Sequence, residues 1–362
     1  MQHNIRETRE GGLRKPRDRD FIKTNEDLIF CVVGYVHPRD RLLAYLKYIP
    51  GESGIWAAGN LHFKRMIPYY SSKSVSETFS YLKEKYPKYL SYFPENRITF
   101  PAVPYPDVKE YFKPEKKLTR LALEKGELDA LELKAVELAE YLSRKASVPF
   151  SKFGITGSIL LGIHNISISD IDLTVYGRKN SLAVKKTLVE EYQRTNPLKQ
   201  LTKKEAEEWC KKKTEQFPID NESAKLILKR KWNFGYYKEK FFSIHPTRLD
   251  SEITEEYGEY EFENKGAIKI NAQIEDNSQS LFNPSSYKIT KVEILEGPKS
   301  INDINEVVTF ESVFFDIART GESIRARGNL ETVKDTRTGQ KYHRVVVGSQ
   351  NINSPEYIVP VP

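Results

Sequence analysis

A glycine–serine pair and two nearby aspartates are the residues of this sequence whose types and spacing could do chemistry. Gly157 and Ser158 follow an apolar run, and eleven residues separate Ser158 from Asp170, with Asp172 two positions further on. Free backbone N–H groups at a helix start, a residue small enough for close approach and a hydroxyl together form a site for phosphate. We therefore expect Gly157 and Ser158 to bind phosphate groups.

Asp170 and Asp172 are expected to act on the same ligand. Two positions apart in a strand, they project from one face, and two adjacent carboxylates repel each other unless a divalent cation lies between them. Hard oxygen ligands of this kind suit Mg²⁺, which stays partly hydrated and is shared with substrate phosphates. The structural alternative is a turn glycine, a helix-capping serine and aspartates on an exposed strand edge, but it leaves the pairing of the two motifs unexplained.

Alternating strand and helix patterns surround these residues and must position them. Apolar runs predict strands from Phe150 to Thr156, from Asp170 to Tyr176 and from Lys240 to His245. Apolar residues at three- and four-residue intervals predict a long amphipathic helix between Leu128 and Leu142. Residues 115–250 are therefore predicted to form a small unit of mixed strands and helices.

Three further segments flank this unit. Residues 1–24 are polar and charge-dense, which predicts an arm that is ordered only where something holds it. Residues 25–114 form an N-terminal accessory region with prolines that predict loops between Tyr86 and Pro114. Its strand-like run Leu28–Val36 has no obvious local partner, so we expect it to pair and pack with the C-terminal β domain. That domain, residues 251–362, carries short alternating runs typical of a β-barrel or sandwich.

The glycine–serine pair, the eleven-residue spacer and the run Ser169-Asp170-Ile171-Asp172-Leu173 resemble the signature of the polymerase-β-like nucleotidyltransferase superfamily. The longer layout is similar to that of archaeal predicted nucleotidyltransferases. The resemblance implies an α+β fold with a small mixed-sheet nucleotidyltransferase core, a C-terminal β-barrel-like domain and an N-terminal accessory region. The signature covers Phe153 to Tyr176. Neither the Rossmann nor the P-loop glycine pattern occurs.

The resemblance also implies a reaction, the transfer of a nucleoside monophosphate from an NTP to a hydroxyl acceptor, with RNA as the expected acceptor. Carried over by position, Gly157 and Ser158 would bind the triphosphate. Asp170 and Asp172 would be the catalytic residues and would hold two Mg²⁺ ions, with Mn²⁺ as the alternative metal. One ion would lower the pKa of the attacking hydroxyl, and the other would stabilise the leaving pyrophosphate.

The sequence departs from the family pattern at the third carboxylate. Such enzymes usually add one from a later strand of the same sheet, whereas the strand ending at His245 offers Ser243 and no acid. His245 and Asp250 are the candidates for a third metal or phosphate group, and His245 is equally well explained as a packed histidine at a strand end. A non-catalytic nucleic-acid-binding protein on a degenerate core is therefore the alternative hypothesis, and an assembly subunit is a third.

Composition restricts the class of protein. Of the 362 residues 12% are aromatic, too many for a disordered chain, and no stretch approaches the ~20 apolar residues of a membrane span, so we expect a cytoplasmic protein without a membrane partner. Two cysteines exclude a disulfide framework and a four-cysteine zinc site, and their scarcity is typical of thermophilic proteins. The net charge of +7 is concentrated in two segments, residues 199–240 with 12 basic and 7 acidic side chains and residues 1–23 with 7 and 4, which favours a nucleic-acid partner.

Overall fold

The computed structural model describes residues 14–52, 54–67, 72–194, 197–349 and 355–361. Within these residues the chain is a mixed α/β protein with seven α-helices and three β-sheets. No helix in the described ranges is long and apolar enough to cross a lipid bilayer. The helices are α1 Ser72–Lys85, α2 Pro114–Leu123, α3 Ala130–Ala146, α4 Gly157–Leu161, α5 Arg178–Glu191, α6 Lys203–Gln216 and α7 Asn221–Arg230.

The first sheet is formed by the N-terminal region. Its strands are β1 Phe21–Thr24, β2 Ile29–Val32, β3 Arg41–Pro50, β4 Trp56–Ala58, β5 Leu61–Arg65, β6 Leu90–Phe93, β7 Ile98–Pro104 and β8 Val108–Phe112. The order is β4-β5-β3-β2-β1-β8, and β7 pairs with both β3 and β6. The expected loops between Tyr86 and Pro114 are thus largely strands: Pro101 lies within β7, Pro104 ends it, and Pro114 begins α2.

The expectation that Leu28–Val36 pairs with the C-terminal domain is wrong. Its ordered part, β2, pairs antiparallel with β1 on one side and β3 on the other. Neither partner strand is evident from the sequence, because β1 lies within the charge-dense segment 1–24 and the pattern of β3 fits a helix as well as a strand. The accessory region does contact the C-terminal domain, where the Phe262 N–H donates to the Glu95 carbonyl oxygen at 2.8 Å.

The second sheet is mixed and holds both sequence motifs. Its order is β11-β12-β13-β10-β9, in which β10 and β13 are parallel and the other neighbours are antiparallel. The long helix α3 packs its apolar face on this sheet, and the strands expected around the motifs are present as β9, β10 and β13. The strands are β9 Phe153–Ile155, β10 Ile171–Tyr176, β11 Leu198–Lys199, β12 Phe234–Tyr237 and β13 Lys240–Thr247.

The third sheet is barrel-like, as the alternating C-terminal pattern predicts. Its strands are β14 Tyr260–Asp276, β15 Ser285–Glu296, β16 Ile304–Thr309, β17 Ser323–Asp335, β18 Lys341–Val347 and β19 Tyr357–Val361. The order is β14-β15-β16-β18-β17-β19, and β14 also pairs with β17, so that five strands form a closed ring. Because β14, β15 and β16 are successively antiparallel, the β14–β15 and β16–β17 loops leave the same end of this ring.

The segment that precedes β1 is held by ion pairs, the condition under which the arm predicted for residues 1–24 is expected to be ordered. Arg14 lies 2.6 Å from Asp20 and 2.5 Å from Glu115, which begins the second unit. Asp18 is buried and accepts hydrogen bonds from Gly34 N and from Asn283 Nδ2. Residues 14–20 therefore connect all three sheets, while residues 1–13 of the predicted arm lie outside the described residues.

Candidate active site

Strand β10 and helix α4 bring the two sequence motifs into contact. The Thr156 N–H donates to the Asp172 carbonyl oxygen at 2.9 Å, directly before α4 begins. Gly157 has a φ of +69°, and a Cβ atom at this position would lie 2.5 Å from Asp172 Oδ2. Glycine is therefore required for α4 to approach the Asp172 carboxylate so closely.

Asp172 also contacts two side chains of the neighbouring strand β13. In the parallel β10–β13 pair it lies opposite Ser243, and His245 follows two residues later on the same face. Ser243 Oγ donates a hydrogen bond to Asp172 Oδ1. His245 Nε2 lies 2.8 Å from Ser243 Oγ and 3.4 Å from Asp172 Oδ1. Of the two candidates for a third metal or phosphate group, His245 is thus the one that lies beside the Asp172 carboxylate.

The pKa values of these groups shift in different directions. Burial raises the pKa of the Asp172 carboxyl, but hydrogen bonds from His245 and Ser243 and the nearby Lys47 ammonium outweigh it and lower that pKa well below its usual range. Asp170 is an exposed residue, but its carboxyl is partly desolvated and lies near the Asp172 charge. Both effects raise the pKa of Asp170 to about 6. Burial and the Arg19 guanidinium lower the pKa of His245, so its ring is neutral at pH 7.

These groups line a cavity of about 370 Å³ between the three sheets, called the aspartate cleft below. Five basic side chains also line it: Lys47 and Arg65 from the first sheet, Arg19 from the segment before β1, Lys213 from α6, and Lys231 after α7. The charges of Lys47 and Arg65 act on the two aspartates. A cleft with two carboxylates and surrounding cations is suited to a polyanion that arrives with a divalent metal.

Ser158 and Gly157 both line the aspartate cleft, as does Asp170. Asp250 does not line the cleft; its Oδ1 accepts hydrogen bonds from the Arg17 guanidinium at 2.8 and 3.0 Å. It opens the short 3₁₀ turn that follows β13, where the N-terminal segment passes. The expectation that Asp250 supplies a third metal or phosphate group is therefore corrected: it anchors the N-terminal segment.

Arg19, Lys47 and Arg65 are the cleft residues that the sequence motifs do not indicate. Lys47 and Arg65 lie on strands of a sheet that has no motif of its own. For Arg19 a signal exists, because the alternating charges from Arg17 to Asp20 stand directly before the apolar strand β1. Charged residues that adjoin a buried strand must find partners or a ligand, and Arg19 has a left-handed φ of +72°.

A second group of metal-type side chains, Asp129, Glu132 and His164, lies near the start of α3, and its ligand atoms are within 4.8 Å of one another. We call it the helix-cap cluster. Asp129 Oδ1 accepts hydrogen bonds from the Leu131 and Glu132 N–H groups, and its Oδ2 lies 2.6 Å from His164 Nε2. Glu132 pairs with Lys117 at 3.3 Å. These contacts satisfy both carboxylates without a metal.

Comparison with known proteins places the chain in a family. No protein-family model and no solved structure matches it. Over 346 residues it is 32% identical to the uncharacterized protein MJ1086 of Methanocaldococcus jannaschii, and this alignment covers 95% of the chain and 98% of the relative. Similarity at this level across nearly the full length of both chains shows common descent. The chain therefore belongs to the same protein family as this archaeal protein.

Proposed function

We propose that this protein is a Mg²⁺-dependent nucleotidyltransferase that moves a nucleoside monophosphate from an NTP to a hydroxyl group of RNA. The observation that carries the proposal is the contact between Gly157 and Asp172 in a cleft lined by basic side chains. The second sheet is then the nucleotidyltransferase core, with the first sheet and the barrel-like third sheet packed against it.

The oxygen atoms of the aspartate cleft fit a hard divalent cation. Asp172 Oδ1 is used by Ser243, while Oδ2 faces Gly157, and the Asp170 carboxylate is exposed to the cleft. When bound, the ion would supply positive charge to the phosphates. The other two carboxylates that line the cleft are engaged, Asp18 with Asn283 and Asp316 with Lys185. The protein thus offers two carboxylates and His245, and a second ion would depend on the substrate phosphates.

The chain's own side chains would bind and orient the substrate. Lys47, Arg65 and Arg19 place positive charge on the side of the first sheet, where it would stabilise the triphosphate. Gly157 and Ser158 line the cleft beside Asp172, where the backbone N–H groups at the start of α4 and the Ser158 hydroxyl would contact a phosphate. The aspartates would hold the reacting groups near the metal.

Two observations support RNA as the acceptor. On the side of α6 the cleft is lined by Trp209, Phe234 and Phe241 with Lys213 beside them, and aromatic rings next to cations bind single-stranded nucleic acid by stacking. The Trp209 and Phe234 rings stack on each other, with their centroids 6.3 Å apart. The ring order of β14-β15-β16-β18-β17, with its parallel β16–β18 pair, is also the order of OB-fold barrels, which bind oligonucleotides and oligosaccharides.

The second candidate function is nucleic-acid binding without catalysis. It is favoured by the position of His245, which lies where the family pattern expects a carboxylate. Under this hypothesis salt-dependent RNA binding survives the loss of both aspartates, whereas under the enzymatic hypothesis transfer does not.

The test is transfer of label from NTP to RNA in the presence of Mg²⁺, by the wild type, by Asp172→Asn and by Asp129→Asn as a matched carboxylate control. We expect Asp172→Asn to reduce transfer by at least about 100-fold, the order found when one electrostatic contact to the transition state is removed. The Asp129→Asn variant should retain wild-type transfer. If wild type and Asp172→Asn are equally inert toward RNA, DNA and protein acceptors, the enzymatic hypothesis is wrong.

A further inference from the structure

A second cavity, of about 240 Å³, lies between the first and third sheets, and we call it the inter-sheet pocket. The first sheet contributes Val33, Phe93 and Phe100, and the C-terminal domain contributes Phe262 and Phe310. Aromatic side chains from both of these regions line the pocket, and such side chains favour a flat ring. The volume and the aromatic lining are thus those of a pocket for a planar heterocycle or a similar group.

The inter-sheet pocket adjoins the aspartate cleft. Five residues line both cavities: Asp18, Arg19, Asn283, Ser312 and Phe315. They come from the segment before β1 and from the two loops that leave the same end of the third-sheet ring. One ligand could therefore place a charged part in the cleft and a flat apolar part in the pocket, passing this shared wall.

The shared wall carries a buried hydrogen-bond acceptor that lacks a partner among the described residues, Asn283 Oδ1. The orientation of this amide follows from its contacts, because Asn283 Nδ2 donates to Asp18 Oδ1 at 2.8 Å, and that oxygen also accepts from Gly34 N. A buried acceptor without a donor costs stability. A ligand that brings an N–H group to this position would satisfy it.

We propose that the inter-sheet pocket binds the base of the NTP, with the triphosphate in the aspartate cleft. The assignment rests on the proposed function, and it follows from the ligand's two halves: the base is the flat ring and the triphosphate is the polyanion. Adenine, cytosine and guanine each carry an exocyclic amino group that can donate to Asn283 Oδ1. The pocket volume of about 240 Å³ suits a single base better than a polynucleotide acceptor, which needs a long groove.

Substitution of Val33 by phenylalanine tests this assignment, because Val33 lines the inter-sheet pocket but not the aspartate cleft. Calorimetric titrations with Mg²⁺-ATP and Mg²⁺-tripolyphosphate separate the base from the phosphates. The wild type should bind ATP about 10-fold or more tightly than tripolyphosphate, the order expected for one stacked base. Val33→Phe should lower the affinity for ATP to that for tripolyphosphate, and it should leave the affinity for tripolyphosphate unchanged. The matched control is Val189→Phe on α5, where the side chain is 47% exposed.

Phe310→Ala provides a second variant in case the larger side chain at position 33 prevents folding. Phe310 is 41% exposed, so its removal should leave the fold intact while it weakens ATP binding alone. If the folded variants still bind ATP more tightly than tripolyphosphate by the wild-type ratio, the pocket does not bind the base. If they keep ATP binding but lose transfer to RNA, the pocket binds the acceptor, which also overturns the assignment. If the wild type binds neither probe, the proposed function itself fails.

Discussion

Two carboxylates and one histidine meet at two places in the second unit, and the two places differ in what surrounds them. Asp170 and Asp172 lie with His245 on a cavity of about 370 Å³. In the helix-cap cluster, by contrast, Asp129 accepts from two N–H groups of α3 and contacts His164. In the first group the Asp170 carboxylate is exposed to a cavity, whereas in the second group both carboxylates have partners within the protein.

The comparison teaches that residue type and proximity do not define a metal site. The helix-cap cluster has the right ligands within 4.8 Å, yet its geometry is explained by helix capping and by an ion pair with Lys117. In the aspartate cleft, Gly157 has no side chain, which lets helix α4 approach the Asp172 carboxylate. The open cavity and the basic side chains that line it distinguish the functional candidate from the structural one.

Metal binding should separate the two clusters most strongly. We expect Asp170→Asn to lower the affinity for Mn²⁺ by about 10-fold or more, since it removes a charged ligand atom, and His164→Gln to leave it unchanged. Titration of Mn²⁺ followed by electron paramagnetic resonance measures both affinities. Weakened binding in the His164 variant together with normal binding in the Asp170 variant would reverse the comparison.

Two glycines with nearly the same φ angle test how closely helix α4 approaches Asp172. Gly157 and Gly162 have φ values of +69° and +67°, but a Cβ would meet Asp172 only at Gly157, since nothing lies within 4 Å at Gly162. Gly162→Ala should cost about 1 kcal/mol of unfolding free energy for the left-handed conformation alone. Gly157→Ala should cost about 2–3 kcal/mol, since the clash adds to the same conformational penalty. Denaturant unfolding of both variants provides the measurement, and equal losses would contradict the close approach.

The smallest expected effect is on the helix-cap cluster, where the role is structural. Asp129→Ala should lower the unfolding free energy by about 1 kcal/mol through loss of the cap. Burial opposes ionisation of Asp129, but the hydrogen bonds from Glu132 N and His164 outweigh it and lower its pKa below the ordinary 3.8. Its stabilising contribution is therefore complete above pH 3.8 and is lost as the pH falls through the lowered pKa.

Urea midpoints between pH 2 and pH 6 measure this dependence. The wild type should lose more stability than Asp129→Ala on acidification, so that the two curves converge at low pH. A constant difference between them across the whole range would show that the Asp129 charge contributes nothing to the cap.

Local pattern was sufficient for the motif-bearing elements. The spacing between Gly157 and Asp172 spans one short helix and a return to the neighbouring strand, so the contact between them follows from nearby sequence alone. That β13 lies in the same sheet as β10 was implied by the family resemblance, and the pairing of these strands brings His245 to Asp172.

Longer-range contacts could not be predicted in the same way. Lys47 and Arg65 reach the cleft because one whole sheet packs against another, and no periodicity in either segment encodes that docking. Asp250 was misassigned for the same reason: its partner Arg17 is more than two hundred residues away in the chain. The charge-dense N-terminal segment was expected to be ordered only where something holds it, but the sequence did not indicate its partners, which for Arg14 and Arg17 include acids in later elements.

The contacts of the N-terminal segment also determine when the cleft can be assembled during synthesis. Asp18 and its partner Asn283 are 265 positions apart, and the cleft is lined by residues from Asp18 to Asp316. A nascent chain that has completed the second sheet still lacks one wall of its cleft. Pairings at such sequence separation are slow to form, so the site should become competent only after the barrel strands have emerged from the ribosome and docked.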